Sequence, residues 1–373
     1  MAKQRMTFLD VLRGVAVFWM VETHVTDVCL APSEKLGDRL WLLNLSNGFV
    51  AVTFIFCAGA SFWLVASKKE ADFRALGPGL RKYLERIFFI LLLGYLMHLP
   101  TDSFAKLQAA PYEVWKSFLA IDVLPLISYT SLLALVVFWA LPKAKWLPYA
   151  AAALALAVFG ATSAVWEWNV YDHGWPLGLA GMLGRQPEVM FPLFPWSGYF
   201  FVGLVLAACT EWLQDRPNVA ALTAALSLGA GLWGYHHQDP LEPDWWWTAP
   251  NYILFRVGFT VAIYLGLMLL FRALGERRPL AARALEIAGQ ESLFLYLVHV
   301  FLVYGSLWQD TSLRNFVQGG LPLWQNFAVF GLVMAFVYAL MLGYRWTKQR
   351  WPDYTKWTKY ALVGLLVGQF LFK

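Results

Sequence analysis

Charge is scarce in this sequence. Asp, Glu, Lys and Arg make up 14% of its 373 residues, where a soluble globular chain carries about 25%. That scarcity excludes an ordinary water-facing surface. Cysteine is scarcer still. Cys29, Cys57 and Cys209 are the three present, each in or beside an apolar run and without metal-ligand spacing. A disulfide framework and a zinc site are therefore not expected. The formal net charge is only +5, and the basic residues fall between apolar runs instead of in one tract. Nucleic acid is not an expected partner. Internal repeats, low-complexity tracts and a glycine-rich nucleotide loop are all missing. A cleavable signal peptide is not expected either, because the first apolar run contains Arg13, Glu22, His24 and Asp27 and leads to no small-residue cleavage site.

What the chain has is apolar length. Hydrophobic residues make up 59%, with 20 Trp, 16 Tyr and 28 Phe, and the mean hydropathy is +0.53. Many aromatics sit at the ends of apolar runs, where rings with one polar edge favour the headgroup boundary. A bilayer core takes about 20 apolar residues as a helix, and a spanning backbone must satisfy its own hydrogen bonds. The expectation is an all-α polytopic transmembrane bundle, a single domain over 1–373, with about eleven spans. These cover roughly 8–30, 41–66, 84–100, 118–141, 147–165, 191–213, 219–235, 250–271, 286–308, 321–344 and 358–372; the last is short enough to be an interfacial helix instead. With the N-terminus in the cytoplasm, most of the 29 basic residues fall on the inside, so the positive-inside rule predicts N-in and C-out. The stretches Trp166–Met190 and His236–Pro250 then lie outside. Their Trp166, Trp168, Trp175, Trp245, Trp246 and Trp247 read as an aromatic belt or as a surface that stacks on sugars.

The first span carries the chemistry. Asp10, Arg13, Val17, Met20, His24 and Asp27 follow one another at steps of three and four, so a helix places all six on one face. Four of them are ionisable. Such groups in a span are costly and normally face the bundle interior or a watery cavity. Asp10 and Arg13 can pair, as a binding pair or as a topology anchor. His24 and Asp27 are three apart, so Asp27 is expected to orient His24 and leave its other nitrogen free as a general base. The alternative for His24 is a packing residue bonded to a neighbouring helix. Arg13 and His24 stand about 16 Å apart along the axis, which suits a long substrate held at both ends. Glu22 lies off the stripe and acts locally or reaches the outer interface.

Further polar positions lie downstream. Ser292, Tyr296, His299 and Val303 share a face of the ninth span. They line the cavity of His24 or join helix to helix by hydrogen bonds. Arg256, inside the eighth span, needs a buried carboxylate or an anionic ligand group; Asp122 is a partner only if the span ends meet. Arg81, Lys82, Arg86, Arg277, Arg278 and Arg283 either hold phosphates or are ordinary inner-loop charge. His173, His236 and His237 lack a three-ligand pattern, so no metal is expected.

The run from Arg5 through Asp10, Arg13 and Gly14, followed by Met20 and His24, resembles the N-terminal signature of membrane acyltransferases. It is most similar to the heparan-α-glucosaminide N-acetyltransferase catalytic family, including its bacterial members. The interval from Arg13 to His24 also resembles the arginine–histidine signature of the type-3 membrane acyltransferases in the same wider group. Phe56-Cys-Ala-Gly59-Ala-Ser61, Pro192 through Trp196 and Gly198 to Gly203, and Gly289-Gln-Glu291-Ser292 through Tyr296 and His299 are similar to segments of the first family. The resemblance implies ten or eleven helices and a catalytic His24 with a substrate-binding Arg13. It implies acyl-CoA, typically acetyl-CoA, as a cytoplasmic co-substrate with no permanently bound cofactor. The acceptor it implies is a sugar or glycan amine or hydroxyl reached from the opposite face. It leaves the acceptor's identity and the role of Glu291 open. Transfer can be direct or through an acyl-histidine. The expected location is the bilayer of a bacterial inner or plasma membrane, and homo-oligomerisation is open. The competing function is a proton-coupled transporter or flippase that uses the Arg13, His24 and Asp27 stripe as its pathway.

Overall fold

The computed structural model describes residues 6–35, 40–185, 187–237, 245–275, 277–306 and 311–373, the side chain of Trp245 excepted. The long helices in chain order are α1 (Thr7–Cys29), α2 (Val50–Lys68), α3 (Pro78–Met97), α4 (Val123–Ala140), α5 (Leu147–Trp168) and α6 (Leu193–Gln214). They continue with α7 (Pro217–His236), α8 (Pro250–Leu274), α9 (Leu280–Gln290), α10 (Ser292–Tyr304), α11 (Leu323–Arg350) and α12 (Pro352–Phe372). Among the described residues there is no strand, only one isolated parallel bridge between Leu30 and Leu321. Proline opens α3, α7, α8 and α12, a position where its missing N–H costs nothing and its fixed φ already suits the helix.

Each of the eleven expected segments holds a helix. Six helices among the described residues are long and apolar enough to cross a membrane: Trp41–Lys68, α4, the stretch Ala144–Trp168 that contains α5, α6, α8 and α11; the pair α9 and α10 together makes a seventh, broken, candidate. Their outer faces carry large apolar side chains in the open. Leu332 is 72% and Leu156 74% exposed, which water would not tolerate over so many helices and lipid does. The chain is a multi-pass membrane protein.

The ninth span departs from expectation. Instead of one helix over 286–308, α9 and α10 meet at an 81° bend, with Glu291 between them at φ −107°, ψ 26°. No proline is there. The Glu291 carboxylate is held from α11 by Lys348 Nζ, 2.9 Å from each oxygen, with Arg345 Nη1 at 3.6 Å. Residues 307–310 lie outside the described residues.

The chain divides into two compact units. One comprises 1–50, 99–111 and 277–373, the other 51–98 and 112–276. In the first, α1 packs chiefly on α9 and further on α11 and α10. Gly14 and Gly289 make that approach: a Cβ on Gly14 would stand 2.0 Å from the Leu285 carbonyl oxygen, and one on Gly289 1.8 Å from that of Asp10. In the second unit Gly59 and Gly203 repeat the device: a Cβ on either would collide with the carbonyl oxygen of Phe200 or Phe56. Small residues that bring backbones together are a main source of helix association in lipid, where apolar burial has no driving force. The glycines of all four motif segments are thus packing residues.

Candidate active site

The first unit brings the ends of α1 and α10 together. His24 Nδ1 lies 2.9 Å from His299 Nε2, with the two rings nearly parallel at 17° and their centroids 5.1 Å apart. His299 is fully buried. Its Nδ1 lies 2.7 Å from the Leu295 carbonyl oxygen, one turn back on α10. A carbonyl only accepts, so His299 Nδ1 carries the proton. In the neutral ring His299 Nε2 is then an acceptor, and the proton between the two rings belongs to His24 Nδ1. This leaves the lone pair of a neutral His24 on Nε2. A backbone carbonyl on α10 therefore sets the tautomer of a histidine on α1.

Asp27 does not occupy the orienting position expected of it. Its Oδ2 accepts from the Tyr304 hydroxyl at 3.0 Å, Lys35 Nζ lies 3.9 Å from Oδ1, and its side chain is 62% exposed. Tyr304 stands edge-on to His24, centroids 5.4 Å apart, so Asp27 reaches the histidine pair through that ring. One turn further along α1 carries Asp27 past His299, which already fills the Nδ1 side.

At the other end of the stripe Asp10 and Arg13 pair as expected, Oδ1 to Nη1 at 3.4 Å, and Arg13 Nη1 lies 3.5 Å from the Gly289 carbonyl oxygen. Val17 and Met20 between the two ends are buried. The stripe is thus the packed face of α1, with polar groups at either end of an apolar middle. Tyr296 joins the site edge-on to His299, centroids 5.8 Å apart. Ser292 opens α10, about 10 Å below His299 along the axis, and is not brought to the pair. Arg256 belongs to the second unit, and Asp122 there faces His98 Nε2 at 3.5 Å.

Of the two roles expected of Glu22 the local one holds: it is buried and accepts from Thr26 Oγ1 at 2.6 Å. Asn326 of α11, fully buried, donates to the same hydroxyl at 2.8 Å; a lone Asn in an apolar run was its signal. Tyr304 lies five residues after His299, outside the series of threes and fours, so periodicity passed over it.

Among the basic residues proposed for phosphates, Arg81 pairs with Glu85 at 3.2 Å and Arg278 with Glu286 at 3.3 Å. Of the expected aromatic surface, Trp166 is buried and donates to the Phe194 carbonyl at 3.0 Å. Trp168 stacks on His173 and meets Trp175 edge-on, centroids 4.9 and 5.2 Å apart.

Residues 5–228 match the family described as "Heparan-alpha-glucosaminide N-acetyltransferase, catalytic". No curated protein matches the chain. The matched stretch holds Asp10, Arg13, His24 and Asp27, whereas Arg256, Ser292, Tyr296 and His299 lie beyond it. Since the match covers more than half of the sequence, the chain belongs to the heparan-α-glucosaminide N-acetyltransferase catalytic family.

Proposed function

We propose that this chain is an integral membrane acyltransferase that moves an acyl group, acetyl by preference, from acyl-CoA to an amine or hydroxyl of a sugar acceptor. The observation that carries the reading is the chain Leu295 carbonyl, His299, His24, which leaves a base on His24 Nε2. As the acceptor attacks the thioester carbonyl carbon, His24 Nε2 takes its proton. The new C–N or C–O bond forms, the C–S bond breaks, and the same proton passes to the departing CoA thiolate. A base so placed contributes about 10²–10⁴-fold. Arg13, steadied by Asp10, supports the CoA side, and Tyr296 walls the histidine pair.

The proposed topology has eleven spans, the N-terminus and acyl-CoA entry in the cytoplasm, and the acceptor on the opposite face of a bacterial inner or plasma membrane. Basic inner segments support that orientation.

The test is release of CoA from labelled acetyl-CoA by the purified full chain with a panel of amino-sugar and hydroxyl acceptors, wild type beside His24→Ala. CoA release that needs both an acceptor and His24 is expected. Full transfer by a folded His24→Ala protein would sink the mechanism. Failure of the folded wild type to bind any acyl-CoA would return the stripe to a transporter's pathway.

A further inference from the structure

The second unit buries a cation that meets no counter-charge among the described residues. Arg256 lies on α8 about 9 Å from its N-terminal end and is 1% exposed. Four aromatic rings surround its guanidinium carbon: Tyr252 at 4.5 Å, and Trp196, Trp246 and Trp247 each at 5.5 Å. The Tyr199 hydroxyl also faces the guanidinium. Rings attract a cation through their faces, but a ring face leaves most N–H groups unmet. Nε, Nη1 and Nη2 of Arg256, the Trp196 indole Nε1 and the Tyr199 hydroxyl are all buried, and none makes a hydrogen bond of ordinary length and angle among the described residues, so the nearby Tyr199 hydroxyl and the guanidinium do not satisfy each other.

These groups have one chemical character. The guanidinium and the indole are donors only, and the hydroxyl can donate. What completes such a cluster is a group with several acceptor oxygens and a negative charge, because the forked guanidinium matches an oxyanion bidentately. Trp196, Tyr199 and Tyr252 are buried, while Trp246 and Trp247, on the short turn before α8, keep partial exposure. Their partly exposed indoles border the space that a ring attached to the charge would occupy.

We propose that the Arg256 cluster is a binding site for one oxyanion group, a carboxylate or phosphoryl group, carried on a sugar-like ring that Trp246 and Trp247 flank. If the chain transfers acyl groups as proposed above, this group belongs to the acceptor, and the inference that the acceptor is acidic rests on that reading. Binding itself needs no acyl-CoA, so the two can fail separately.

The experiment is titration of the purified full chain, in neutral detergent without acyl-CoA, with glucuronate, glucose 6-phosphate and glucose at matched ionic strength. Tryptophan fluorescence and thermal unfolding are the readouts. A saturable response to the acidic sugars but not to glucose is expected. It should weaken at least about 10-fold in Arg256→Lys, which keeps charge but loses the fork, and vanish in Arg256→Met. A response confined to nanodiscs containing phosphatidylglycerol, and weakened in Arg256→Lys, supports the oxyanion site and assigns its source to a lipid headgroup. The proposal is overturned if the wild type responds to no acidic probe or equally to glucose, or if Arg256→Lys and Arg256→Met respond undiminished. The wild-type titration decides even if a variant does not fold.

Discussion

His24 on α1 and His299 on α10 share one proton across 2.9 Å, although 275 residues separate them in the chain. Because His299 is itself bonded to the Leu295 carbonyl, the direction of that shared bond follows from the backbone. The bond fixes the tautomer and orientation of the His24 ring, as a carboxylate does in a catalytic triad, but without a negative charge to stabilise an imidazolium. His299 is a positioning residue in this scheme.

Replacing His299 by Leu removes the acceptor for His24 Nδ1–H and frees the ring to change tautomer. We expect kcat to fall about 10–100-fold with KM for the acceptor unchanged, a loss smaller than that of His24 itself. His299→Gln should recover a large part, since its amide oxygen can accept the same bond. Equal losses in both variants, or a change confined to KM, would show that His299 acts only by packing.

Gly289→Ala places a methyl carbon 1.8 Å from the Asp10 carbonyl oxygen, backbone that cannot yield without parting α1 from α9. Destabilisation of about 1–3 kcal/mol is expected, read as thermal unfolding in detergent, with lower activity because Arg13 rests on the Gly289 carbonyl. Gly266→Ala on α8 meets nothing within 4 Å and should be neutral or stabilising by up to about 1 kcal/mol. A Gly289→Ala protein as stable as wild type would contradict the close approach.

Glu291→Gln keeps the shape of the side chain and removes the charge that clamps Lys348 and Arg345. Lys348 is 48% exposed, so solvent screens much of the pair. A cost of about 1–3 kcal/mol is expected, well below that of a fully buried ion pair. Protease cleavage near the bend between α9 and α10 should speed up in the variant, and an unchanged cleavage rate would mean that the clamp does not hold the bend.

Glu70 lies beyond the end of α2 and accepts from the Ala144 backbone N–H at 2.7 Å and from Arg74 Nε at 3.0 Å. The backbone donor first, then Arg74, hold its carboxyl below the usual carboxylate range. A group depressed in the folded state stabilises fully above its unfolded value, about 4.3, and the contribution is lost as pH falls from there through the folded value. Wild type should therefore exceed Glu70→Gln in thermal stability at neutral pH, and the gap should close on acidification below about pH 4. A gap independent of pH would assign the difference to shape alone.

Much of the architecture was legible because lipid imposes it. Apolar length and scarce charge are local properties, and a helix lies in each of the eleven expected segments. The bend at Glu291 was not legible, because no proline marks it and the residues that hold the Glu291 carboxylate, Lys348 and Arg345, lie on α11, far along the chain. The stripe on α1 was equally local: steps of three and four put Asp10, Arg13, His24 and Asp27 on one face, and Asp10 does meet Arg13. The partner of His24 was not local. Asp27 is near in sequence, but the turn of the helix carries it to Tyr304, and the place beside Nδ1 goes to a residue of another helix.

Helix periodicity, then, determined which side chains of α1 share a face, since rise and turn per residue are properties of the backbone alone. Only the tertiary structure decided which nitrogen of His24 carries the proton, because a tautomer depends on the acceptor it meets, and that acceptor arrives through the packing of Gly14 and Gly289 that brings α1 against α9 and, past the bend, against α10.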